Sequence, residues 1–156
     1  SLMDWVNLMC NEMDIRGVAH RGYFGSITDF KSYYDTSMSL IDLKTARSLF
    51  DPDWPIYTRT SDSCPTQYLE GADVKASVIS NGCRIEGTID HSILSRGCII
   101  KKGAVVKNCV ILPDVVIGED TVLENVVVDK HVRINHIKEV KDTPAHPGYV
   151  KRGDHL

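Results

Sequence analysis

Three histidines and a small group of lysines are the side chains of this 156-residue chain whose types and spacing invite chemistry. His91 stands where an aliphatic rhythm slips, and a histidine at such a break suits the general base of a hexapeptide acyltransferase. There it would take a proton from a substrate amine or hydroxyl as that group attacks a thioester. His131 and His136 lie five residues apart with His91 forty before His131, a grouping open to a metal held between subunits. Ligands sharing one flat of a coil should instead be whole coils apart, roughly 36 residues for two, so the spacing disfavours a metal. Five cysteines, Cys10, Cys64, Cys83, Cys98 and Cys109, are odd in number and form no C-x-x-C pair, which argues against zinc and against a disulfide framework. Lys101, Lys102 and Lys107 read as a basic cluster that keeps an outer face solvated.

What must position these groups is a repeat. Aliphatic residues fall at Ile79, Ile85, Ile93, Ile99, Val105, Ile111, Ile117, Leu123, Val128 and Ile134, a period of six with slips at His91 and at Val128 to Lys130. A helix of about 3.6 residues per turn would scatter them, whereas three flats closing a triangular coil turn every sixth side chain inward. The spacing predicts a left-handed parallel β-helix of hexapeptide repeats, three to four coils of about 18 residues. A second inward position, small or β-branched, is expected at Cys83, Ile89, Gly97, Gly103, Cys109, Val115, Thr121 and Val127. Cys83 and Cys109 are then buried small hydrophobes.

Composition leaves room for this and little else. The chain is 42% hydrophobic, enough for a core, and its net charge of -3 gives no footprint for nucleic acid. No apolar run approaches the roughly 18 residues that span a bilayer and no signal-peptide pattern opens the chain, so a cytoplasmic location is expected. Ser1-Leu2 ahead of Met3 is set aside as a remnant of expression, residues 1–2. Residues 3–50 read as a strand plus helices. A short helix carries Trp5, Val6, Leu8, Met9 and Met13, and an extended stretch runs over 15–24. A second helix, capped by Ser26 with Asp29 or by Thr28, has the face Phe30, Tyr33, Tyr34, Met38 and Ile41, and a third is capped by Asp42. Pro52 and Pro55 end the last helix, 51–73 is a connector, 74–135 is the β-helix, and 136–156 is a polar tail anchored by Tyr149 and Val150.

Several blocks together carry a family likeness. Gly22-Tyr23-Phe24-Gly25-Ser26-Ile27-Thr28-Asp29, Tyr34-Asp35-Thr36-Ser37-Met38-Ser39-Leu40-Ile41, Trp54-Pro55-Ile56-Tyr57-Thr58, Ser77-Val78-Ile79-Ser80-Asn81-Gly82-Cys83-Arg84-Ile85-Glu86-Gly87 and Asp129-Lys130-His131-Val132-Arg133-Ile134 stand in order along the chain. This series resembles the C-terminal part of the ADP-glucose pyrophosphorylase (glucose-1-phosphate adenylyltransferase) family over nearly the whole length, most of all its GlgD type. The resemblance implies that 3–50 is the last edge of a nucleotidyltransferase domain and that Gly22, Tyr23 and Ser26 are the remnant of its sugar-phosphate site.

At Ser26 the family carries an aspartate that helps hold magnesium. A neutral hydroxyl cannot anchor a hard divalent cation as a carboxylate does, so no catalytic residue is expected in this chain and Mg2+ belongs to the intact catalytic family. The family's Gly-rich nucleotide loop has no counterpart in these residues. A catalytically weak or inactive subunit is therefore implied, one that partners a catalytic subunit or itself and modulates ADP-glucose formation from ATP and glucose 1-phosphate. The same likeness offers Lys130 and Arg133 as contacts for a sugar-phosphate or other anionic effector. A purely structural oligomerisation module is the plainest alternative.

Overall fold

The computed structural model describes residues 1–58, 60 and 62–154, so the parts of the connector and tail expectations at 59, 61, 155 and 156 lie outside the described residues. Strands of two or three residues wind into a prism with three parallel faces. The first face stacks β1 (Gln67–Tyr68), β4 (Arg84–Ile85), β7 (Ile99–Ile100), β10 (Val116–Ile117) and β13 (Arg133–Ile134). The second stacks β2 (Asp73–Lys75), β5 (Thr88–Asp90), β8 (Val105–Lys107), β11 (Val122–Glu124) and β14 (Glu139–Lys141). The third stacks β3 (Val78–Ile79), β6 (Ile93–Leu94), β9 (Val110–Ile111), β12 (Val126–Val128) and β15 (Gly148–Val150). The mainly β, coiled architecture expected from the period of six is the one observed.

Sequence explains why the chain bends where it does. Many corners turn on a residue with positive φ, which glycine adopts freely and Asn, Asp and His tolerate better than most. His91, Asn108 and Asn125 form one such column at successive corners, with φ of 43°, 49° and 55°, and Gly97, Asp114 and His131 form another at 71°, 61° and 64°. The corner column binds each coil to the one before it, as in His131 N–H donating to Pro113 O at 3.0 Å and Asn108 N–H to Asp90 O at 3.1 Å.

The core is the axis of the prism. Ile85, Ile89, Leu94, Ile100, Val106, Ile111, Ile117, Leu123, Val128 and Ile134 are fully buried there, and two residues before most of them sits the smaller inward side chain: Cys83, Ser92, Cys98, Ala104, Cys109, Val115, Thr121, Val126 and Val132. This corrects the expected register over one coil, since Leu94, Ile100 and Val106 point inward rather than Ile93, Ile99 and Val105. Cys98, Ala104 and Val126 likewise replace Gly97, Gly103 and Val127. In a strand a shift of one residue exchanges the two faces, and doublets such as Ile93-Leu94 satisfy a pattern either way. Burial pushes the Cys109 thiol up to about 12, and hydrogen bonding with Cys83, then burial, push Cys98 up as well, so both remain neutral core groups.

Coil length is also corrected. Most paired residues are 17 apart, as in Val116 with Arg133 and Val122 with Glu139; Arg84 with Ile99, Asp73 with Thr88 and Val78 with Ile93 are 15 apart, and Val127 with Tyr149 is 22 apart. The shorter coil turns from the first face to the second through Glu86-Gly87, two residues fewer than the corner holding Lys102-Gly103. No loop leaves the prism at His91. The slip in the aliphatic rhythm is this shortcut.

The prism is longer than 74–135. It begins at β1, inside the expected connector, and continues through β14 and β15, inside the expected polar tail, where Val150 is buried. Pro147 directly precedes β15, a terminal strand with one edge unpaired among the described residues, the position at which a strand tolerates the loss of an amide donor nearby.

Ahead of the prism lie α1 (Leu2–Met9), α2 (Phe30–Ser39) and α3 (Leu43–Leu49). Ser1 caps α1, although it was set aside, and Met13 falls beyond the helix. Asp29, not Ser26 or Thr28, caps α2, its Oδ1 accepting from Ser32 N–H at 2.7 Å, while Ser32 Oγ accepts from Asp29 N–H at 2.9 Å. These bonds hold the Asp29 carboxyl below its usual range. Asp42 caps α3 as expected. The stretch 15–24 pairs with no strand among the described residues.

Helix α2 rides on the third face. That face turns an apolar column outward, Val78, Ile93, Val110, Val127 and Tyr149, joined rung to rung. Tyr34 packs against Val110 and Val127 with Tyr33, Met38 and Leu112 around it, and Phe30 meets Tyr149 edge-on at 5.4 Å. The Tyr34 hydroxyl donates to Asn108 O at 2.7 Å, and burial pushes its pKa up to about 12, so it stays a donor at any working pH. Tyr34→Phe removes only this donor. The expected cost is about 0.5–1.5 kcal/mol in urea denaturation, with faster hydrogen exchange in α2 and unchanged exchange in β7 and β10. Unchanged α2 exchange would mean that packing alone seats the helix.

Candidate functional site

The family-like residues fall in two separate places. The first is an open cleft of about 430 Å³ lined by His20, Gly22, Tyr23, Ser48, Asp51 and Trp54. It is built where the irregular stretch after α1 passes the end of α3 and the Asp51–Trp54 turn, which is closed by Trp54 N–H donating to Asp51 O at 3.1 Å. Tyr23 is pinned on both sides. Its hydroxyl lies 2.9 Å from Ser39 Oγ, and its carbonyl accepts from His20 Nε2 at 3.0 Å. A Cβ at Gly22 would sit 2.9 Å from the exposed His20 ring and would displace it from the Tyr23 carbonyl.

Ser26 does not line the cleft. It is exposed, in the irregular segment between Tyr23 and the Asp29 cap. The residues here do not fit magnesium: Ser26 offers a neutral hydroxyl, Asp29 is committed to the helix cap, and among the described residues no three His, Cys, Asp or Glu side chains converge.

The second place is the corner from the third face to the first in the fourth coil. Asp129 organises it. Its N–H donates to Val150 O at 2.9 Å, while its carboxylate accepts from Lys130 N–H at 2.8 Å and from the Tyr149 hydroxyl at 3.0 Å. These bonds, chiefly that from the Lys130 amide, hold the Asp129 carboxyl below its usual range. Tyr149 is pushed up by its partial burial and then by that carboxylate. Lys130 extends exposed from the corner, and Arg133 stands exposed on the outer side of β13, in register with Val116. The arrangement offers an ammonium and a planar guanidinium fork on neighbouring elements, beside a carboxylate already engaged by the Lys130 amide and the Tyr149 hydroxyl.

The remaining candidates are dispersed. His91 Nδ1 lies 3.0 Å from Asn108 Oδ1 at the corner from the second face to the third, and His131 Nδ1 lies 3.5 Å from Asp114 Oδ2 at the corner from the third to the first. Different edges of the prism hold them, and His136 is exposed beyond β13. Lys101, Lys102 and Lys107 are not one cluster either. Lys107 belongs to an outward column on the second face, Lys75, Asp90, Lys107, Glu124 and Lys141, which alternates in sign from rung to rung. Sequence reading missed this column. Its signal was there, charges recurring at 17 residues from Asp90 to Lys141, but it is invisible against a coil assumed to be 18 long.

Comparison with known proteins agrees with the blocks quoted from the sequence. The GlmU-like C-terminal hexapeptide family matches residues 65–146. The glycogen biosynthesis protein GlgD of Bacillus subtilis is 42% identical over 134 residues, 86% of this chain and 39% of that protein. GlgD of Geobacillus stearothermophilus is 49% identical over 71 residues, covering 46% and 21%. The glucose-1-phosphate adenylyltransferase of Streptomyces coelicolor is 37% identical over 86 residues, covering 55% and 22%. The chain thus spans about two-fifths of the length of the first of these and about a fifth of the others. No helix among the described residues is long and apolar enough to cross a membrane.

Proposed function

This chain belongs to the GlmU-like C-terminal hexapeptide family, and from that premise we propose that it is the C-terminal part of a glycogen-biosynthesis subunit of the ADP-glucose pyrophosphorylase kind, serving assembly and regulation rather than nucleotidyl transfer. One observation carries the reading: the likeness to GlgD of B. subtilis runs over 134 residues, more than the prism holds, so it takes in the helical segment as well. Ser26 supports the non-catalytic half of it. The position the family gives to a magnesium-binding aspartate carries an exposed hydroxyl, outside the cleft formed by Gly22 and Tyr23.

In this reading the prism is the rigid body that joins a catalytic subunit, a second copy of the same subunit, or both. Lys130 and Arg133 receive the phosphate of a sugar-phosphate effector or another anion, Arg133 through its bidentate fork and Lys130 as a point charge. Asp129 keeps the corner ordered while Tyr149 ties it to α2, giving an anion at Lys130 a mechanical connection to the helical segment. Magnesium and nucleotide are then the business of the catalytic partner.

The test uses the intact protein. Alone it should show little pyrophosphorolysis of ADP-glucose, and mixing it with a catalytic subunit should change that subunit's rate or its response to sugar phosphates. Robust activity of the isolated protein would sink the non-catalytic reading. A catalytic subunit indifferent to it, in rate and in effector response, would sink the regulatory one.

A further inference from the structure

The second face carries charge in a pattern that packing does not require. Its inward side chains are apolar, and its outward ones form two columns through the paired registers. One runs Lys75, Asp90, Lys107, Glu124, Lys141, so every step sets opposite signs on neighbouring strands about 4.8 Å apart. The other runs Asp73, Thr88, Val105, Val122, Glu139, neutral within and acidic only on the two terminal strands. On each terminal strand the two charges also pair locally: Lys75 Nζ lies 2.8 Å from Asp73 Oδ2, and Lys141 pairs with Glu139.

An alternating column with an odd number of rungs ends on the same sign at both ends. If β14 of one molecule received β2 of a second copy as its next parallel rung, Lys141 would face Lys75 and Glu139 would face Asp73. Other features of the two ends favour that addition. Both strands have one unpaired edge among the described residues, and the inward Val74 and Val140 are only half-buried there. Head-to-tail joining of this kind does not close and leads to fibres.

We infer that the matched charges on β2 and β14 keep this prism from being extended head to tail by a second copy of itself. The second-face edge accepts only a strand of reversed charge order, basic where Asp73 and Glu139 stand and acidic where Lys75 and Lys141 stand. Two β14 edges meeting antiparallel about a two-fold axis satisfy that order, since each Glu139 then faces a Lys141, and such a pairing stops at two chains. The device thus blocks open growth and leaves closed assembly free. It draws on the registers of one face alone and does not depend on the glycogen-subunit reading.

The experiment is sedimentation velocity over a wide concentration range on the chain itself and on two variants. The pair Glu139→Lys with Lys141→Glu keeps composition and net charge while reversing the order at one end. The pair Glu139→Gln with Lys141→Gln removes the charges and avoids placing like charge beside Glu124. The unaltered chain should keep a finite size at every concentration in low salt. Both variants should grow with concentration, the reversed pair several-fold further, and its advantage over the neutral pair should vanish near 1 M salt, where the Debye length falls to about 3 Å. If the reversed pair fails to fold, the neutral pair decides: growth supports the inference and finite size overturns it. Open growth of the unaltered chain in low salt, or folded variants of unaltered size throughout, overturns it as well.

Discussion

Ile117→Ala should cost this protein about 2–5 kcal/mol, a large share of the 5–15 kcal/mol that typically holds a domain together. Ile117 is fully buried within its column, in register with Ile100 on one side and Ile134 on the other. Removing most of its side chain leaves a void between two coils that cannot draw together. Their spacing is fixed by ladder bonds such as Lys101 N–H to Ile117 O at 3.1 Å and Gly118 N–H to Ile134 O at 2.7 Å. Because each coil contacts only its neighbours, the loss should be directional. Hydrogen exchange should accelerate most in β13, β14 and β15, which rest on the damaged coil, and least in β4 and β5. Ile117→Val, which removes one methyl, should cost about 0.5–1.5 kcal/mol and give the same pattern in weaker form. Urea denaturation of both variants supplies the check. An alanine variant within about 0.5 kcal/mol of the parent would show that the axis is not packed at this level.

Gly87→Ala should be nearly as damaging for the opposite reason. A Cβ at Gly87 would lie 2.4 Å from Ala104 O and 3.0 Å from Lys101 O, both backbone atoms of the adjacent coil, so no side chain can swing aside. Ala104 O is already the acceptor for Thr88 N–H at 2.8 Å, and moving it breaks the first bond of β5 to β8. The expected cost is about 1–3 kcal/mol or more, seen as a shift of the urea midpoint. Gly17→Ala is the matched control, since nothing lies within 4 Å of its would-be Cβ, and it should change stability by no more than about 0.5 kcal/mol. Equal midpoints for the two variants would contradict the tight corner.

The aliphatic rhythm was legible because a coil repeats its demands, and Ile79, Ile85, Ile111, Ile117, Leu123, Val128 and Ile134 all take the inward side expected of them. From Ile93 on it misled for one coil, and at Ile93 itself the reason lies outside the prism. Ile93 belongs to the apolar column that faces the helical segment, so the third face is apolar on both sides and alternation no longer tells inside from outside. The terminal strands were hidden by their company. Prolines and charges surround β14 and β15, and only their pairing with β11 and β12 makes them strands.

The site was less legible than the fold. Lys130 and Arg133 were found through family likeness, yet what fixes their corner is Asp129 with Tyr149, twenty residues apart in sequence and united only by the winding of one coil upon the next. Ser26 was assigned a cap that Asp29 holds, because both lie at plausible capping distance from the same helix.

A chain of near-identical coils faces a hazard that ordinary domains escape, for a coil that docks one place too early or too late still finds strands to pair with and aliphatic side chains to bury. Such misthreaded states would lie close in energy to the native one and would trap the growing stack. The turn through Glu86-Gly87 breaks that near-degeneracy. The corresponding corner holds four residues in each of the other coils and two here, so this coil set elsewhere, or another set in its place, would not match the native corner. The shortcut is in this sense an index mark, a place where the winding chain can tell which coil it is on.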